Sequence, residues 1–304
     1  MKRITVANID ALKPLGSVGF GWISQVRWSP LGDMLAICGG GGIAVYADAF
    51  GGRPKFRLEA QSAPVKGIAF DPSGAGLASV GSDTALRLWT FHENDIIERS
   101  SAYGHEDSVD DVAFSPDGSL IATASADHTI RLWHPATLKA EHVLTGHSGE
   151  VTSLTFDRSG RALFSAGRDG TIRAWDLAGG NEGVILGKHE DWVREIALDS
   201  AGTKLASAGK DGTIRIWNLR NSAPPQTLPG HPDGADTVAF SRDGSLLASG
   251  GRDNMLRFWD LADSRQRHCA RAHTRPVLSI AVNPAGAMLV SGAGDNRALL
   301  WAIR

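Results

Sequence analysis

Apolar residues fall along the chain in short β-leaning runs broken by turns. Across residues 109–144, Val109 to Ser115 is apolar and strand-like, Pro116-Asp117-Gly118 turns the chain, and Leu120 to Ser125 runs apolar again. Asp127-His128 makes a second turn, Thr129 to Trp133 a third run, and Ala140 to Leu144 supplies a fourth. The segment therefore predicts four short strands in series.

The same unit recurs in register. An aromatic closes a strand-like run at Tyr46, Trp89, Trp133, Trp175, Trp217, Trp259 and Trp301, with successive steps of 43, 44, 42, 42, 42 and 42 residues. A turn glycine keeps nearly the same step at Gly32, Gly74, Gly118, Gly160, Gly202, Gly244 and Gly286. Seven copies of about 42 residues with four strands each are the signature of propeller blades. The fold expected is all-β: one closed seven-bladed β-propeller over residues 1–304, with four-stranded antiparallel blades. After Trp301 only three residues remain, too few for the last copy's fourth strand. Arg3 to Ala7 precedes the first copy and alternates polar with apolar, so this N-terminal strand is expected to complete the C-terminal blade and remove an open edge.

Four polar or aromatic positions recur inside five copies. Counting back from Trp, an Asp lies 6 residues earlier, a Ser or Thr 4 before that, and a His 28 before the Trp. In the third copy these are His105, Thr123, Asp127 and Trp133, and in the fourth His147, Ser165, Asp169 and Trp175. The fifth has His189, Ser207, Asp211 and Trp217, the sixth His231, Ser249, Asp253 and Trp259, and the seventh His273, Ser291, Asp295 and Trp301. Gly-His steps stand at Gly104-His105, Gly146-His147 and Gly230-His231, and Trp-Asp steps at Trp175-Asp176 and Trp259-Asp260. On these residues the chain resembles the WD-repeat β-propellers over essentially its full length.

The resemblance implies that each set is a hydrogen-bonded tetrad within a blade. The chemistry supports this, since an indole N–H needs an acceptor, hydroxyl and imidazole each give and accept, and a carboxylate ends the series. His, Asp and Ser together also suggest catalytic triads, but a nucleophile must stand in a cleft beside an oxyanion hole. Fivefold repetition inside blades argues for scaffold. Two copies depart. The second has Ser79, Asp83 and Trp89 but Gln61 in place of His, which still permits a partial network. The first has Gly19, Ala36, Gly40 and Tyr46 at the four positions and a turn, Gly39 to Gly42, with no tetrad.

Composition narrows the class further. The balance of 31 Lys+Arg against 33 Asp+Glu gives a net charge of −2, which favours neither nucleic acid nor a membrane surface. Cys38 and Cys269 are too few for a disulfide framework, the N-terminus has no continuous apolar leader, and no stretch is long enough to span a bilayer. The expectation is a soluble, cytoplasmic protein without cofactor or metal. His92, His128, His134, His142 and His268 are scattered without ligand spacing.

The resemblance also implies which side chains each blade presents on its top face: the two flanking the first apolar residue of the inner strand, and the one before the tetrad Asp. Blades one to three then give Trp22, Ser24, Gly39; Pro64, Lys66, Ser82; and Ser108, Asp110, Ala126. Blades four to seven give Glu150, Thr152, Arg168; Trp192, Arg194, Lys210; Gly234, Asp236, Arg252; and Pro276, Leu278, Gly294. Trp22, Lys66, Arg168, Trp192, Arg194, Lys210 and Arg252 are the expected partner-binding residues, because aromatics and guanidinium groups dominate binding hot spots. The opposing expectation is that these cations only pair with Glu150, Asp236, Glu190 or Asp191. The function expected is a non-enzymatic adaptor for a protein or peptide, with an acidic segment as the preferred partner. The alternative is an enzyme at the channel mouth using inner-strand groups such as Asp110, Asp111, Arg194 and Glu195.

Overall fold

A computed structural model describes residues 1–47, 52–58, 63–93, 95–178 and 183–303. Seven four-stranded antiparallel sheets form the blades of a closed propeller. The seven inner strands, lining the channel, are Ile23–Trp28, Val65–Phe70, Val109–Phe114, Val151–Phe156, Val193–Leu198, Ala235–Phe240 and Val277–Val282. Each opens with a bulge after its first residue, as between Val193 and Glu195, which re-aims the top-face side chains. The seven periodic glycines all occupy left-handed backbone, with φ between 68° and 75°. A Cβ is disfavoured there, so the repeat of glycine is a repeat of turn geometry.

The core lies between blades, in seven apolar clusters that each join two neighbours. Ala122, Ile130 and Leu132 of blade three, for instance, pack on Val151, Leu154 and Phe156 of blade four.

Closure is made by a different segment from the one expected. The strand completing the last blade is Leu12–Gly19, which pairs antiparallel with Arg297–Ile303. Arg3 to Ala7 does not form it, and Val6–Ala11 is a 3-10 helix. The Thr5 N–H donates to Asn8 Oδ1 at 2.9 Å and Asn8 Nδ2 donates to the Arg3 carbonyl at 2.8 Å, folding this stretch on itself. Ile4 and Ile9 are thereby buried over the seam between blades six and seven. The closing strand is hidden in the sequence because a bulge between Pro14 and Gly16 spaces Leu12, Leu15 and Val18 by three rather than two.

Candidate functional site

All five complete tetrads are assembled. Trp Nε1 donates to the hydroxyl in each: Trp133 to Thr123 and Trp175 to Ser165 at 2.8 Å, Trp217 to Ser207 and Trp259 to Ser249 at 2.9 Å, and Trp301 to Ser291 at 3.0 Å. The same hydroxyls meet the His Nε2 at 2.7 to 2.9 Å, from His105 with Thr123 to His231 with Ser249. His Nδ1 meets the Asp carboxylate at 2.7 to 3.0 Å, from His231 with Asp253 to His189 with Asp211 and His273 with Asp295. Burial holds His105, His189, His231 and His273 below the usual imidazole range, against the pull of their aspartates. With a neutral ring, one order of protons satisfies every group: indole to hydroxyl, hydroxyl to Nε2, and Nδ1–H to carboxylate. Burial alone would raise Asp127, but hydrogen bonds from Thr129 and His105 bring it down to about 2. Thr123, Ser165, Ser207, Ser249 and Ser291 are all 0% exposed, so none of these hydroxyls faces a cleft in which a substrate could meet it. The tetrad hydroxyls thus lie in the interior of the blades.

The five sets differ at the carboxylate, a difference their shared spacing conceals. Thr129, Thr171 and Thr213 each donate through Oγ1 to Asp127, Asp169 and Asp211 at 2.7 to 2.8 Å, making a fifth member in blades three to five. Its signal was the Thr two residues after Asp in those three copies. In blade six Met255 stands there, and Asp253 is held by its N–H at 3.2 Å and by the Arg257 guanidinium. In blade seven Arg297 stands there, and besides His273 Asp295 accepts backbone N–H groups, from Thr274 at 3.0 Å and Arg297 at 3.2 Å. In blade two Trp89 donates to Ser79 at 2.8 Å and Asp83 pairs with Arg87, while Gln61 lies outside the described residues.

A second network encircles the channel. The third residue of six inner strands accepts a hydrogen bond from the backbone N–H of the next blade. Ser279 accepts from Val26, Gln25 from Ile68, Asp111 from Leu154, Ser153 from Ile196, Glu195 from Val238 and Thr237 from Ile280, at 2.9 to 3.2 Å. Blade two has Gly67 there, and a Cβ would stand 3.0 Å from the Asp111 Cα and 3.1 Å from the Asp110 carbonyl. Gln25 spans the gap, its Nε2 donating to Asp111 Oδ1 at 2.8 Å. Arg27 crosses the channel from blade one to Glu195 on blade five, at 3.3 Å. Burial raises the Asp111 and Glu195 carboxyls above their usual range, opposed chiefly by the Arg27 charge. These two acids, candidates for channel-mouth chemistry on sequence grounds, thus accept from backbone amides and face a guanidinium.

The channel widens on either side of this level. Below lies a cavity of about 740 Å³ that Arg27, Asp111 and Glu195 line. Above lies a separate depression of about 290 Å³ at the top mouth, sharing no lining residue with the first. All eleven residues lining the upper depression belong to the 21 positions mapped from the sequence, and every blade contributes. Lys66, Arg168, Trp192, Arg194 and Arg252 are among them, with Trp22 from blade one and Leu278 from blade seven.

Each cation of the sector has a carboxylate neighbour. Arg168 meets Glu150 at 2.8 Å, Lys210 meets Asp191 at 3.2 Å and Lys66 meets Asp110 at 2.7 Å. Arg194 and Arg252 share one oxygen of the buried Asp236, at 2.6 and 3.5 Å. Trp192 is half-buried, with the Arg168 guanidinium 4.4 Å and the Lys210 ammonium 4.2 Å from its ring centroid. Trp192 therefore supports cations, and Trp22, 43% exposed, is the open aromatic of the mouth. Arg194 is not an exposed rim residue as the sequence had implied, because its side chain is drawn down onto Asp236. Among the described residues no three His, Cys, Asp or Glu side chains are grouped to hold a metal, and no helix is long and apolar enough to cross a membrane.

Seven four-stranded blades, five of them with a complete tetrad inside, and a polar mouth to which every blade contributes define a repeat propeller. The family described as WD domain, G-beta repeat (WD40) matches residues 52–90, 98–134, 138–176, 180–218, 222–260 and 264–302, and the chain belongs to it. A search of curated proteins returned no significant match. The six matches omit most of blade one, the copy without a tetrad. WD40 propellers generally mediate protein–protein interactions and are generally non-enzymatic.

Proposed function

We propose that this protein is a non-enzymatic adaptor that holds a protein or peptide partner across its top mouth, centred on blades four to six. The observation that carries the reading is the depression itself. Its lining converges from seven separate repeats, and three guanidinium groups, Arg168, Arg194 and Arg252, come from three successive blades. Cations around aromatic surface favour an acidic segment, whose contribution weakens with salt. The test is affinity capture from the source cell, comparing wild-type protein with Trp22→Ala/Arg168→Glu and with Leu31→Ser. Leu31 is 79% exposed beside the turn glycine Gly32, away from the mouth. A partner retained by wild type and Leu31→Ser but lost by the mouth variant, with unfolding midpoints unchanged, supports the reading. Equal retention by all three moves the site elsewhere on the propeller.

A further inference from the structure

The cavity below the belt is built differently from the mouth above it. The fifth residue of every inner strand lines it. Five of these are alanines and another is Thr155, so six blades present only short side chains there. The seventh is Arg27, whose guanidinium crosses the space the others leave open. The sixth residues form the sides, among them Trp28, Phe70 and Phe114 on blades one to three. Trp28 and Phe114 are half-buried, and Trp28 is pinned where its Nε1 donates to the Ala281 carbonyl. A space of about 740 Å³ is of the size that holds a small molecule.

The polar side chains over this space offer donors rather than acceptors. Asp111 already accepts from the Leu154 N–H and from Gln25, and Glu195 from the Val238 N–H and from Arg27. A guanidinium carries five N–H groups. Those of Arg27 meet two acceptors among the described residues, the Val26 carbonyl at 3.2 Å and Glu195 at 3.3 Å, and the side chain remains 29% exposed. An anion on Arg27 would have Asp111 and Glu195 directly behind it, with Asp117 and Asp243 beside the lining residues Pro116 and Arg242 on its way in. A cation would meet Arg27 itself and carboxylates already engaged. The group this space suits is an uncharged acceptor.

We propose that the lower cavity binds a flat, uncharged small molecule, with its ring against the aromatic wall of blades one to three and a carbonyl or ring-nitrogen acceptor on Arg27. Aromatic side chains favour a ring partner through offset stacking and edge contacts, and a planar guanidinium holds an acceptor in a fixed direction. The alanines of the facing blades leave the width that such a ring needs. The belt separates this site from the mouth, and the two share no lining residue, so it stands independently of the adaptor reading.

The probes are naphthamide, naphthoate and naphthylmethylammonium, which share one ring system and differ in charge. Binding is read by ligand-observed NMR titration. Wild-type protein is expected to bind the amide about tenfold more tightly than either charged probe. Ala113→Leu and Thr155→Leu, made singly, fill the cavity from two blades and should remove amide binding. Arg27→Lys keeps a charge opposite Glu195 but loses the planar donor fork, and should weaken the amide about tenfold. Trp22→Ala, at the mouth, should leave it unchanged. Unchanged thermal unfolding midpoints check the fold of each variant. Absence of amide binding by wild type overturns the proposal, as does equal or tighter binding of a charged probe. So does amide binding that survives both filled variants or that Trp22→Ala abolishes. Should a filled variant fail to fold, Arg27→Lys decides, and undiminished amide binding there overturns the site.

Discussion

Ser153→Ala isolates one link of the belt around the channel. Ser153 is 3% exposed, and its Oγ accepts the Ile196 N–H of the next blade at 3.2 Å. Alanine removes that oxygen and almost no volume, so the loss falls on the hydrogen bond rather than on a cavity. A buried N–H left unmatched costs about 1–3 kcal/mol, and a bond at the long end of the usual range places this case at about 1–2 kcal/mol. The measurement is urea unfolding followed by both tryptophan fluorescence and far-UV circular dichroism. Coincident transitions license a two-state midpoint, and an unchanged m-value assigns the shift to stability. Ser101→Ala, on an exposed outer strand, is the control and should stay within about 0.5 kcal/mol. If Ser153→Ala moved the midpoint no further than that control, the belt would be an accompaniment of closure and not a cause of it.

Three other outcomes follow from the same geometry. His189→Ala leaves Ser207 and Asp211 without their buried partner and should lower stability by about 1–3 kcal/mol in a denaturant titration, and an unchanged midpoint would end its scaffold role. Gly67→Ala places a Cβ against backbone of blade three, which cannot swing aside as a side chain can, and is expected to destabilise by about 1–3 kcal/mol in thermal and urea unfolding. The pKa of His189 is lowered in the fold, so below its ordinary 6.5 the unfolded chain binds the proton first and stability falls with pH. Each such histidine contributes a slope of at most about 1.4 kcal/mol per pH unit, and His189→Gln should show a shallower decline between pH 6.5 and 5 than wild type.

What is legible without the structure is whatever repeats. Trp, Ser or Thr, Asp and His recur at fixed intervals because each blade solves the same donor-acceptor problem, and the top-face positions are tied to the same frame. What is not legible depends on groups from different copies meeting, or on one copy's own substitutions. Alternation places the closing strand about nine residues too early because the Pro14–Gly16 bulge interrupts the true one. Asp169, Asp253 and Asp295 stand at identical spacings before their tryptophans, yet beyond the histidine they are held by a threonine, by an arginine and by backbone N–H groups respectively. The belt is written as a column of polar residues third in the inner strands, at Asp111, Ser153, Glu195, Thr237 and Ser279. No single copy shows that its acceptor serves the neighbouring blade. The sharing of Asp236 between Arg194 and Arg252 is of the same kind, since it joins blade five to blade six through one oxygen.

Blade one shows how the ring tolerates a copy without a tetrad. Its inner strand is fastened from the channel side, to blade two by Gln25 with Ile68, to blade three by Gln25 with Asp111, and to blade five by Arg27 with Glu195. Trp28 adds blade seven, its Nε1 donating to the Ala281 carbonyl at 3.3 Å. Long polar side chains at positions 25 and 27 replace, from the hub, what the missing His, Ser, Asp and Trp would have supplied from within. The top of the blade is tied by backbone, Gly40 N–H donating to the Trp22 carbonyl at 2.9 Å beside a glycine turn, and by Ser24, whose Oγ donates to the Cys38 carbonyl at 3.1 Å and to the Val65 carbonyl of blade two at 2.7 Å. The open aromatic of the mouth is carried by the blade that has no tetrad. Trp192, by contrast, stands against two cations and the ion pairs behind them. The mouth thus has an open aromatic on blade one and a braced, charged side on blades four to six, and the braced side is where an ionic group gains from geometry already set.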